Sequence, residues 1–80
     1  MTTYKLFTTP ACPNCPAVKE FMKTVPLTGT TVDAATPEGR DQAMALEIYA
    51  VPTVVFFDDT GKEIGREHSV QGVKKFLATQ

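Results

Sequence analysis

The sequence predicts an α/β fold, a four-stranded mixed sheet with helices on both faces in the order β-α-β-α-β-β-α. Three observations carry that prediction. Apolar residues switch along the chain between the alternation of a strand and the three-and-four spacing of a helix. Thr53 to Phe57 (TVVFF) is an unbroken apolar run too short for a helix, which suits a central strand covered on both sides. With 80 residues, 42% of them hydrophobic and 21% charged, the chain is expected to form a single domain over residues 1–80. It has the apolar surface for one core and no room for a second.

Thr3 to Thr8 (TYKLFT) alternates β-branched and aromatic residues and stops before Pro10, which marks the first strand. Val18, Phe21, Met22 and Val25 then stand at i, i+3, i+4 and i+7. Their stripe predicts a helix from Pro13 to about Thr24, ended by Pro26. After a turn at Thr28-Gly29, Thr30 to Asp33 reads as a short strand. Thr36 before Pro37 gives an N-cap and a proline at the first helical position. The second helix is expected to run to about Glu47 and to bury Ala43, Met44, Leu46 and Ile48. Asp58-Asp59-Thr60-Gly61 turns the chain into Lys62 to Glu67, a more polar strand at the sheet edge. Ser69 caps a last helix whose apolar face is Val70, Val73, Phe76 and Leu77. The first half needs a parallel crossover, and the second half supplies an antiparallel hairpin.

Eight basic residues against nine acidic ones leave a formal charge of −1. That balance argues against nucleic acid or an anionic membrane surface as partner. The longest uncharged stretch, Leu6 to Val18, is broken by Pro10, Pro13 and Pro16 and reads as no membrane span. Met1 to Phe7 has no signal-peptide pattern, so the expected compartment is the cytoplasm. There, two cysteines three apart suit a transient, catalytic disulfide better than a structural one.

Cys12-Pro13-Asn14-Cys15 falls where the first strand hands over to the first helix. A helix start offers unpaired N–H groups and roughly half a positive charge, both of which favour a thiolate. Lowering the pKa of Cys12 from about 8.5 to about 7 would raise its thiolate fraction at neutral pH from about 3% to about half. Cys12 is therefore read as the nucleophile. Cys15, deeper along the helix, is read as the resolving thiol that attacks the mixed disulfide. Pro13 is expected at the first helical position, with Pro16 stiffening the same turn. No cofactor or resident metal is expected. A zinc or iron–sulfur site wants four ligands, and the chain offers two cysteines and the distant His68. Two thiolates could still carry a soft ion such as Cu(I), which keeps a metal-binding module open as an alternative class.

Val51-Pro52-Thr53 puts a proline at the head of the apolar strand, where it could begin the strand or sit cis in a tight bend. Here the segments TTPACPNCPAVKEFM, VDAATPEG and AVPTVVFFDDTGKEIG resemble the small thioredoxin/glutaredoxin-like redoxins over nearly the whole chain. The resemblance implies a minimal thioredoxin fold and a redox-active disulfide for electron transport and redox homeostasis. It implies a cis Pro52 facing the two cysteines, with Val51 and Pro52 lining a groove that takes an extended substrate by strand addition. Pro13 and Asn14 are placed in the same groove.

The departures narrow the subfamily. Thioredoxins carry Trp-Cys-Gly-Pro-Cys, whereas Ala11 precedes this motif and the chain has no Trp. Their buried acid, six residues before the first cysteine, corresponds to Leu6, so water or a backbone group is expected to relay the proton. Glutaredoxins hold glutathione with a basic residue just before the motif and a Gly-Gly-x-Asp turn. The positions here are Thr8-Thr9-Pro10-Ala11 and His68-Ser69-Val70-Gln71-Gly72. The expected electron source is therefore a thioredoxin-reductase-like flavoprotein, with glutathione as the alternative. The expected substrates are protein disulfides, a ribonucleotide reductase being one candidate, and the expected state is a monomer. His68 lies in the loop that such folds place near the disulfide, although a lone loop histidine is more often simply solvated. Lys74 and Lys75 read as a solvated face; Tyr4, Phe7 and Tyr49 read as packing residues.

Overall fold

Alternation along Thr3–Thr8 sends Leu6 and Phe7 to opposite sides of the chain, and both are almost wholly buried, so this first strand has covered faces on both sides. In the computed structural model, which describes residues 1–79, the elements are β1 (Thr3–Thr8), α1 (Cys15–Met22), β2 (Thr28–Asp33), α2 (Pro37–Ala45), β3 (Thr53–Phe57), β4 (Glu63–Glu67) and α3 (Val70–Ala78). The sheet order is β2-β1-β3-β4. β1 pairs parallel with β2 and antiparallel with β3, and β3 pairs antiparallel with β4. The predicted α/β class and element order are both present, with β3 central and β4 at an edge.

The core divides at the sheet. On one face Leu6, Val54 and Phe56 meet Val18 and Met22 of α1 and Val73 of α3. On the other, Phe7 and Val55 meet Ala43 of α2 and Ile48. Residues 54–57 are apolar throughout because each face of β3 has its own helical cover.

Several boundaries differ from the sequence reading. The first helix begins at Cys15, with Asn14 as its N-cap, and not at Pro13. A helix starting at Pro13 would need residue 16 to donate its N–H to the Cys12 carbonyl, and Pro16 has none. The long Val18 N–H to Asn14 carbonyl contact, 3.5 Å, comes at the helix start instead. The helix also stops at Met22, short of Thr24, as Thr24 and Val25 tighten onto the carbonyls of Phe21 and Met22. β2 starts at Thr28, two residues early, because Thr28 and Gly29 pair with Thr3 and Tyr4.

The largest correction concerns α2, which ends at Ala45. Leu46 caps it, and Glu47 turns left-handed at φ 56°. Ile48 then folds back, its N–H bonding the Ala43 carbonyl at 2.8 Å, and enters the core through this reversal rather than as part of a helical stripe. Met44, one position round from Ala43, is 62% exposed. The helix starts as expected, the Thr36 hydroxyl accepting the Gly39 N–H at 3.0 Å. Gly39 is required there, because a Cβ would collide with the Asp33 carbonyl at the end of β2. In the β3–β4 turn, Asp58 accepts from the Thr60 N–H and hydroxyl and the Lys62 N–H. The Thr60 hydroxyl, ahead of the backbone donors, holds its carboxyl below the usual range. Gly61 supplies the positive φ, 84°, that closes the turn. Among the described residues no helix is long and apolar enough to cross a membrane.

Candidate active site

The segment between β1 and α1 is a compact turn. The Cys12 N–H bonds the Thr9 carbonyl at 3.2 Å, and three residues later the Cys15 N–H points at Cys12 Sγ, 3.1 Å away. The two sulfurs are bonded to each other, with Cα atoms 5.4 Å apart, well inside bridging range. Cys12 therefore precedes the helix instead of lying in its first turn. What reaches its sulfur is one aimed backbone donor at the helix start, the arrangement that stabilises a thiolate once the bridge is reduced. Cys12 is 9% exposed and Cys15 4%, so Cys12 is the more open of the pair. Pro13 and Asn14 stand exposed between them.

Strand register brings the second proline to the same end of the sheet. Phe7, near the end of β1, pairs with Thr53, the first residue of β3, so Val51 and Pro52 lead into β3 beside the strand that delivers Cys12. The Val51-Pro52 peptide bond is cis, as the resemblance implied. Pro52 is buried and Val51 half-buried.

Two cavities flank this end. One, about 610 Å³, reaches both cysteines and is bordered by Thr8, Thr31, Lys19 and Asp33. The other, about 220 Å³, lies on the α2 side between Thr9, Arg40, Met44, Tyr49 and Val51. Leu6, the counterpart of the thioredoxin acid, is sealed in the apolar core, so no carboxylate stands at that position. Among the described residues no cluster of three or more His, Cys, Asp or Glu has the spacing of a metal site.

Four residues hold positions the sequence did not reveal. Arg40 borders the smaller cavity and enters no ion pair among the described residues. Tyr49 is not a packing residue: it is 84% exposed at the rim of that cavity. His68 is exposed, yet its Nδ1 lies 3.1 Å from the hydroxyl of Thr53, next to Pro52. Lys74 is more than solvated surface, its ammonium standing 5.6 Å over the Phe21 ring.

A bridged CxxC at the start of a helix, on a four-stranded sheet of this order, defines a redoxin of thioredoxin-like fold. The chain belongs to the glutaredoxin family, whose sequence profile matches residues 5–60. It is a dithiol-disulfide oxidoreductase. Solved structures agree on the fold. Mitochondrial thioredoxin 3 from Saccharomyces cerevisiae, in its oxidised form, is 21% identical, with a TM-score of 0.81 over 99% of this chain and 78% of that one. Oxidised thioredoxin O2 from Arabidopsis thaliana is also 21% identical, with a TM-score of 0.79 over 99% and 72%. Thioredoxin from Fasciola hepatica is 27% identical, with a TM-score of 0.73 over 96% and 76%. No curated protein matches the chain.

Proposed function

We propose that the protein reduces disulfides in other proteins. The Cys12 thiolate attacks one sulfur of the substrate bridge, forming a mixed disulfide and expelling one substrate thiolate. The Cys15 thiolate then attacks Cys12 Sγ, expelling the second substrate thiolate and leaving Cys12 and Cys15 bridged. Two electrons pass to the substrate, whose thiolates take up two protons, and an external dithiol must restore the enzyme. The observation that carries this assignment is the Cys15 N–H aimed at Cys12 Sγ, 3.1 Å away, since it favours charge on Cys12 over Cys15. Val51 and Pro52 form one wall of the substrate groove, and Pro13 and Asn14 form the rim.

For the electron donor, a thioredoxin-reductase-like flavoprotein remains the first reading, because no Lys or Arg precedes the motif between Thr8 and Ala11. Arg40 favours a second. It offers a cation near Thr9 and Val51 that a glutathione carboxylate could use. We place the protein in the cytoplasm as a monomer, with a ribonucleotide reductase among its candidate substrates.

Insulin reduction with dithiothreitol tests the roles. Cys12→Ser is expected to abolish turnover, while Cys15→Ser traps a mixed disulfide; an active Cys12→Ser would reverse the assignment. Supplying NADPH with either thioredoxin reductase or glutathione and its reductase separates the donors. Reduction through glutathione alone would move the electron source to the second reading.

A further inference from the structure

The register of the β3–β4 hairpin places Val54 opposite Glu67. One step further along the two antiparallel strands, Thr53 and His68 face each other. Thr53 is 1% exposed, and its hydroxyl has one proton to give. That proton goes to the Ala50 carbonyl, 2.7 Å away. The hydroxyl can therefore only accept from His68 Nδ1, at 3.1 Å, so the imidazole must donate. The neutral ring is thereby fixed as the tautomer with its proton on Nδ1. His68 is itself held on a short leash: β4 ends at Glu67, and Ser69 caps α3 by accepting the Gly72 N–H at 3.0 Å. A relay thus runs from a rigid corner of the fold, through a buried hydroxyl, to the carbonyl two residues before Pro52.

We propose that His68 is a positioning residue for the substrate groove. Through Thr53 it fixes the Ala50–Pro52 backbone in the orientation that an extended polypeptide must meet. This rests on the reading that Val51 and Pro52 line that groove. A substrate pairing with the Val51 backbone gains from a preorganised edge, whereas a small disulfide with no backbone to pair needs only the sulfurs. His68 should therefore matter for protein disulfides and not for small ones.

The test compares second-order rate constants of the pre-reduced protein with insulin and with 2-hydroxyethyl disulfide. His68→Ala is expected to slow insulin reduction about three- to tenfold, the worth of one hydrogen bond, and to leave the small disulfide unchanged. An asparagine amide nitrogen sits as far from Cβ as Nδ1 does, so His68→Asn should restore the insulin rate and His68→Gln should not. In the wild-type protein, ¹⁵N shifts of the neutral ring should show a protonated Nδ1. A His68→Ala protein as fast as wild type on insulin overturns the inference alone, as does one slowed equally on both disulfides or a ring protonated on Nε2. A wild-type protein that reduces 2-hydroxyethyl disulfide but not insulin overturns the groove reading and the inference together.

Discussion

On one face of the sheet α1 and α3 seal Leu6, Val54 and Phe56 beneath a broad apolar layer, with Phe21, Val70, Phe76 and Leu77 at its margin. On the other face Phe7 and Val55 have a smaller buried cover, Ala43 of α2 and the Ile48 that follows it, with Val32, Ala34, Leu46, Val51 and Phe57 at the margin. Gly39 and Ala43 bring α2 close to the sheet but contribute few buried atoms of their own. A polar tie does part of the holding there. Arg66 on β4 grips both Glu63 oxygens at 2.7 Å and reaches the Leu46 carbonyl at the end of α2, 3.0 Å away. The two faces carry different halves of the site. The thick face anchors the helix that begins at Cys15, which must not shift while sulfurs exchange. The thin face borders the cavity with Arg40, Met44 and Tyr49.

The largest effect should come from breaking the thick face. Phe56 is fully buried and stacks on Phe76 of α3 with ring centroids 4.1 Å apart. Phe56→Ala should cost about 3 to 5 kcal/mol; between like truncations, Leu6→Ala on the thick face should fall near the top of the roughly 2 to 5 kcal/mol range and Ile48→Ala on the thin face near its bottom. Urea unfolding measures all three. Equal costs for Leu6→Ala and Ile48→Ala would mean that the faces are not so unequal.

A middle-sized effect should expose the polar tie. The Arg66 hydrogen bonds hold the Glu63 carboxyl below the usual 4.5, outweighing a burial effect that pushes it up. A carboxyl with a lowered folded pKa stabilises the fold above its unfolded value, and that contribution is lost as pH falls through the folded one. Glu63→Gln should therefore cost about 1 kcal/mol at pH 7, discounted because the pair is partly exposed. The gap between the two proteins should close as pH falls below 4.5. Melting curves across this range check it; a gap that is constant with pH would remove the ion pair from the account.

The smallest effect should strengthen the thin face. Glu47 occupies the left-handed region at φ 56°, where glycine avoids the Cβ clash. Glu47→Gly should gain up to about 1 kcal/mol, offset in part by lost attraction to Arg66. Thermal unfolding would show the rise, and a fall would mean that the Glu47 charge outweighs the backbone conformation.

Short-range chemistry in the sequence accounts for what could be read directly. The pair Cys12 and Cys15 was legible because three residues of separation bring two sulfurs within bridging reach whatever surrounds them. The caps at Thr36 and Ser69 were legible because the hydroxyl and the N–H it accepts lie in the same turn. β1 and β3 were legible because their alternation and continuous apolarity report how many faces are covered. The start of α1 lies two residues beyond Pro13, since the spacing of Pro13 and Pro16 outweighs the preference of proline for a first turn. Tertiary structure decided the rest. Whether Met44 and Tyr49 lie inside or outside depends on the reversal at Glu47, a backbone state that no side-chain pattern announces. Arg40 shares a cavity with Thr9 and Val51 only because α2 docks across that end of the sheet. His68 meets Thr53 only because the hairpin fixes its register. Contacts between residues far apart in sequence follow from how whole elements dock, and docking is set by the summed fit of many side chains rather than by any local motif.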